Sequence, residues 1–130
     1  MSEDQELDVA AAFGATKVQG QRFAIYIPNK DRDGNPVEQR SWVDEALELF
    51  SDVGGGATAM PPVEGAWRNP NTRTLIREEP VVVYSYITAA GFRAKLGDLV
   101  AFVKRLGRET NQGAVAIEFD GVFLMVEEFD

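Results

Sequence analysis

The chain has 130 residues, a formal net charge of −8 from 21 acidic and 13 basic side chains, and no histidine or cysteine. That length suits one compact domain and is too short for a two-half dinucleotide-binding fold with a substrate domain attached. The missing residue types remove histidine-based triads, thiol nucleophiles, iron–sulfur ligation, disulfides and the usual zinc sites.

The acidity sits at the ends. Glu3, Asp4, Glu6 and Asp8 lie in the first ten residues, and Glu127, Glu128 and Asp130 crowd the last four. Removing those seven from 21 leaves 14 acidic residues against 13 basic ones. A nearly neutral interior does not suit a nucleic-acid mimic and offers no basic footprint for phosphates, so no nucleic-acid partner is expected. Residues 1–10 read as an acidic flexible tail and 11–130 as a single α+β domain. The start lacks a basic region followed by an apolar run, and no stretch approaches the roughly 20 apolar residues that cross hydrocarbon. The expectation is a cytoplasmic protein without a membrane partner.

Ala10–Gly20 is rich in small residues and reads as an extended or turning connection. Gln21–Ile27 is a strand, with Phe23, Ile25 and Ile27 on the core face and Ala24 and Tyr26 on the other. Asn29–Glu38 is a polar loop. A helix is expected from Ser41, with Asp44 as the partner of a capping pair. Val43, Ala46, Leu47, Phe50 and Val53 form its apolar stripe, and Gly54–Gly55–Gly56 stops it. Ala57–Met60 is a short strand, and Gly65–Trp67 with Thr72–Ile76 forms a twisted hairpin. Val81–Ile87, β-branched and aromatic on both faces, is a central strand. Thr88 caps a second helix with Phe92, Leu96, Leu99, Val103 and Leu106 at helical spacing, ending at Gly107. Ala114–Phe119, Asp120–Gly121 and Val122–Val126 give a hairpin. The fold class is α+β: a ferredoxin-like mixed or antiparallel sheet with two main helices and a C-terminal hairpin.

Phe13–Gly14, Ser41–Trp42, Gly65–Ala66–Trp67, Glu79–Pro80, Gln112 and Val115 are the residues on which the chain resembles a small bacterial family of uncharacterised domains with a ferredoxin-like α+β fold. The resemblance spans roughly Ala11 to Phe119. It implies the fold and carries no chemistry onto individual residues.

Asp31–Arg32–Asp33–Gly34–Asn35 could gather oxygen ligands, but Pro36 and Trp42 stand where a calcium loop needs Gly and Glu, so an ordinary polar loop is expected. The triple glycine follows a helix and lacks the strand–loop–helix context of a phosphate loop, so it reads as a helix stop. Trp67 with Arg68, Arg73 and Arg77 could bind an acidic or planar ligand or a protein. Tyr26, Tyr84 and Tyr86 could line one sheet. Glu64, Glu78 and Glu118 are candidate bases, and Arg68 and Arg77 candidate anion clamps. Gln112 could finish a turn or organise an interface. The consecutive apolar residues Val122–Met125 could be buried on two faces or meet a partner.

The reading favoured by these features is a protein-interaction or regulatory module, homodimeric or with a protein partner, rather than an enzyme. Its contacts are Trp67, Arg77, Phe123 and Met125, with no catalytic, cofactor-binding or metal residues and no cofactor. Two alternatives stand beside it: a cofactor-independent small-molecule enzyme using Asp/Glu, Tyr and Arg, and a small-ligand-binding protein.

Overall fold

The computed structural model describes residues 7–16 and 20–130. Most of the expected acidic tail, residues 1–6, therefore lies outside the described residues. A short helix, α1 (Val9–Phe13), follows, and none of its residues is buried. The Asp8 carboxylate accepts from the Ala11 amide at 3.0 Å, and Gly14 ends the turn in the left-handed region at φ 63°. Part of the expected extended connection is thus helical. Five residues span too little chain for a helical repeat to show in the sequence.

The remaining elements are β1 (Gln21–Ile27), α2 (Gln39–Gly54), β2 (Thr58–Ala59), β3 (Gly65–Arg68), β4 (Leu75–Glu78), β5 (Val81–Ile87), α3 (Ala89–Glu109), β6 (Val115–Phe119) and β7 (Val122–Val126). A five-stranded sheet runs in the order β2-β5-β1-β6-β7, and every pairing in it is antiparallel. β3 and β4 pair separately as a two-stranded ribbon. The path β1-α2-β2-β5-α3-β6 is the split βαβ arrangement of ferredoxin-like folds, with β5 lying between β1 and β2. The C-terminal hairpin adds β7 as an outer strand.

Alternation along the strands decides which side is covered. Phe23, Ile25 and Ile27 of β1 stand opposite Ser85, Val83 and Val81 of β5, and Phe23 and Ile25 also face Phe119 and Ile117 of β6. Val43, Ala46 and Phe50 of α2 and Leu99, Phe102, Val103 and Leu106 of α3 pack onto this side as one apolar cluster. Phe50 is fully enclosed, with its ring 5.2 Å from that of Phe23. The apolar stripes read from the sequence supply most of the core contacts of both helices, with Leu47, Val53 and Phe92 partly buried and Leu96 of α3 exposed instead.

Helix ends are set by local chemistry. Helix α2 starts two residues before Ser41, because the Glu38 carboxylate folds forward to accept the Ser41 amide at 3.0 Å. The Ser41 hydroxyl and amide hold the Glu38 carboxyl below its ordinary pKa. Gly55, at φ 86°, closes the helix. Gly54 allows it to reach the sheet, since a Cβ there would fall 2.2 Å from the Ser85 hydroxyl oxygen and 3.0 Å from the Tyr86 carbonyl oxygen. Thr88 caps α3 by accepting from the Gly91 amide at 3.0 Å. Helix α3 passes Gly107 and ends at Glu109, where the Thr110 hydroxyl donates to the Leu106 carbonyl at 2.6 Å. Gly107 has a packing role, because the Phe129 ring occupies the space a side chain would take.

Candidate active site

The side of the sheet away from the helices carries the polar chemistry. Strand alternation places Arg22, Ala24 and Tyr26 of β1 there, together with Val82, Tyr84 and Tyr86 of β5. Glu118 of β6 stands opposite Ala24, and Phe123 of β7 stands opposite Glu118. Tyr86, Phe123 and Met125 are about half exposed on this open face, at 54%, 57% and 52%.

Two clusters lie side by side. In the first, the Tyr26 hydroxyl donates to Glu118 Oε1 at 2.6 Å. The Tyr26 ring meets Phe123 edge-on, with centroids 6.0 Å apart. In the second, the Arg22 guanidinium lies 4.3 Å above the Tyr84 ring, whose edge-on neighbour is Tyr86 at 6.1 Å. A carboxylate with a phenol donor, one cation and four aromatic rings thus share one surface. Such a set can hold a planar or cationic ligand on its rings, an anionic group on the arginine, and a proton on the carboxylate.

The Tyr26–Glu118 contact also sets an ionisation. The hydrogen bond to Glu118 raises the Tyr26 pKa above 10.0, with burial and the Glu118 charge acting in the same direction and Arg22 opposing them. A raised folded-state value means that the neutral phenol is favoured by folding. That contribution is complete below the unfolded phenol value and disappears as pH rises through the folded one. Ultraviolet difference titration of the protein against Tyr26→Phe should show one phenol ionising above the ordinary range, and Glu118→Gln should bring it down. An ordinary titration in the parent protein would contradict the contact.

The four contact residues expected from the sequence fall into two groups. Phe123 and Met125 lie on the open face beside Tyr26 and Glu118. Trp67 and Arg77 belong to the β3–β4 ribbon, where Trp67 pairs with Ile76 and Arg77 with Ala66, so their side chains leave opposite faces. The Trp67 ring nitrogen donates to Glu78 at 3.4 Å, and Arg77 pairs with Glu64 on the surface. Of the three candidate bases, Glu118 alone joins the open-face cluster. Arg22 was missed by the sequence reading: its place in a strand with strict apolar alternation gave no sign that its charge would lie on an aromatic ring.

The other candidate sites have structural roles. Asp31 closes its own loop by accepting from the amides of Asp33 and Asn35 at 2.8 and 2.9 Å and from the Asn35 side chain at 3.2 Å. The Asn35 amide leads in holding the Asp31 carboxyl below its ordinary pKa. Among the described residues, no three acidic side chains converge as metal ligands. Gln112 is buried and finishes the turn after α3, donating to the carbonyls of Lys30 and Thr110 at 2.9 and 3.1 Å.

The fold has solved counterparts. The chain is similar to a phage SAM lyase in complex with S-methyl-5'-thioadenosine, at a TM-score of 0.61 and 14% identity over 85% of this chain and 92% of the other. It is also similar to a phage SAM lyase in the apo state, at a TM-score of 0.51 and 17% identity over 85% and 93%. No family model matches, and no curated protein matches.

These findings correct the sequence reading in three places. The resemblance to a small bacterial family of uncharacterised domains is not upheld, because no family model matches while solved phage SAM lyases share the fold. A few short residue pairs such as Phe13–Gly14 and Glu79–Pro80 follow turn and strand-entry needs common to many α+β chains. The favoured interaction or regulatory module, with its protein-binding description, is not upheld by these counterparts. The preference for a non-enzymatic role is not upheld either, because the solved structures that share the fold over 85% of this chain are described as phage SAM lyases. The physical reason is that apolar exposure on β7 was weighed without the Tyr26–Glu118 pair beside it, which only the sheet register reveals. Among the described residues, no helix is long and apolar enough to cross a membrane.

Proposed function

We propose that the protein is a cofactor-independent enzyme acting on a small sulfonium nucleoside of the S-adenosylmethionine class, cleaving it in the manner of a lyase. The observation that carries this reading is the Tyr26–Glu118 pair on the aromatic open face beside Arg22. The likeness to the phage SAM lyases supports the choice of substrate class. Aromatic rings suit both a nucleobase and a sulfonium cation, whose charge is attracted by ring faces. When the carbon–sulfur bond breaks, its electron pair stays on sulfur, which becomes a neutral thioether. The step is an elimination: the Glu118 carboxylate takes a proton from the carbon next to the one bonded to sulfur, and that C–H electron pair becomes a carbon–carbon double bond as the carbon–sulfur pair leaves on sulfur. The Tyr26 hydroxyl keeps that carboxylate in one orientation.

Incubation of the purified protein with S-adenosylmethionine in ¹⁸O-labelled water tests this directly. S-Methyl-5'-thioadenosine should accumulate with no label in the remaining fragment. No conversion would reject the substrate class, and label incorporation would reject the lyase course.

Self-association belongs to the same proposal. Val122, Phe123, Leu124 and Met125 are all at least 44% exposed on β7, one of the two outer strands of the sheet. An apolar outer strand with free backbone groups is a template for a second copy. Light scattering should give a mass above that of one chain, and Phe123→Lys should lower it. A monomer at every concentration would remove this part of the proposal.

A further inference from the structure

We propose that Arg22 is the anion anchor of the open face and binds a carboxylate carried by the ligand. The proposal rests on the small-molecule reading above and deepens it. Four observations converge. The guanidinium is immobilised 4.3 Å above the Tyr84 ring. Its Nε is buried and has no hydrogen-bond partner. Among the described residues Arg22 forms no ion pair, whereas Arg40, Arg77 and Arg105 each meet a carboxylate. Last, it shares its face with the Tyr26–Glu118 pair, close enough for its charge to act on Tyr26.

Among the described residues other arginines also lack ion pairs, but Arg32, Arg68 and Arg108 donate to backbone carbonyls and Arg73 and Arg93 are exposed to water, whereas Arg22 is partly buried with its Nε unpartnered. Leaving a half-buried guanidinium without hydrogen bonds costs free energy that an incoming anion restores. Because Nε is enclosed, the two terminal nitrogens are the donors left to a ligand. Their planar fork matches the two oxygens of a carboxylate, and stacking on Tyr84 settles the plane before binding. Arg22 is a positioning residue in this account: it holds one end of the ligand while Glu118 and Tyr26 meet the other.

The test compares two nucleosides by calorimetry. S-Adenosylhomocysteine carries the carboxylate and cannot lose a sulfonium charge. S-Methyl-5'-thioadenosine carries the same nucleoside without the carboxylate. The parent protein should prefer the first. Arg22→Met, which retains an apolar stem over Tyr84, should weaken the first by about 10- to 100-fold, the range for a charged hydrogen bond, and leave the second within about twofold. Equal losses for both would show that Arg22 only supports the tyrosines and would overturn the proposal, as would no loss for either. If the parent protein binds neither nucleoside, the sulfonium-nucleoside reading fails by itself. The anchor is then decided by the Arg22 Nε–H NMR signal during titration with L-methionine. A shift that is saturable and absent with methioninamide supports it; an unmoved signal overturns it.

Discussion

Glu118→Gln should lower cleavage of S-adenosylmethionine by about 10²- to 10⁴-fold, the range associated with a positioned acid–base group. The substitution keeps the side chain's length and its place opposite Ala24 and Phe123. It also keeps an oxygen that can accept from the Tyr26 hydroxyl, so the 2.6 Å contact is retained. What it removes is the negative charge and the capacity to take a proton. The loss should therefore appear in kcat with little change in KM, the pattern of an interaction made mainly in the transition state. Tyr26→Phe should have the smaller effect, since it frees the carboxylate without neutralising it. Full activity in Glu118→Gln would remove the carboxylate from the chemistry and leave the open face as a binding surface only. Steady-state kinetics of both variants, with circular dichroism to confirm folding, decides the matter.

Phe50→Ala should cost about 3–5 kcal/mol of stability, the usual range for truncating a buried aromatic ring. Phe50 is wholly enclosed, and its ring packs tilted against Phe23 from the central strand. Helix α2 touches β5, β1 and α3, so the cavity would open where the two helices meet the sheet. Small domains have only about 5–15 kcal/mol in total, so this one ring accounts for a large share. Urea denaturation should show a lower midpoint with an unchanged slope. Phe50→Leu should recover most of the loss, because it refills much of the space. A loss below about 1 kcal/mol would mean that the helices settle inward without strain.

The fold was legible in the sequence because burial writes itself as periodicity. Phe23, Ile25 and Ile27 alternate, Leu99, Val103 and Leu106 recur at helical steps, and Asp120–Gly121 marks a tight turn. Each of those signals lies within one element. The active face is different, since it depends on which strands become neighbours. Tyr26, Tyr84 and Tyr86 were recognised as possible companions, but Arg22 and the selection of Glu118 over Glu64 and Glu78 required the register of β1 against both β5 and β6. Trp67 drew attention as an aromatic among arginines, yet its ribbon pairs apart from the main sheet. Short-range caps misled in a smaller way: Glu38 can reach forward to the Ser41 amide, so α2 begins earlier than Ser41 suggests.

The hydrogen bond between Tyr26 and Glu118 joins residues 92 positions apart. The strands that carry them become neighbours only when β1 is inserted between β5 and β6. Pairings over such long separations slow folding, because loop closure precedes any reward. Under the proposed function they also tie cleavage to the seating of β1 between its two neighbours. A partial opening of the sheet between β1 and β6 would separate the carboxylate from its phenol while the helices keep their local structure. The proposed activity would then gauge whether the central strand is seated, and its loss would follow the opening of that strand rather than the melting of the helices.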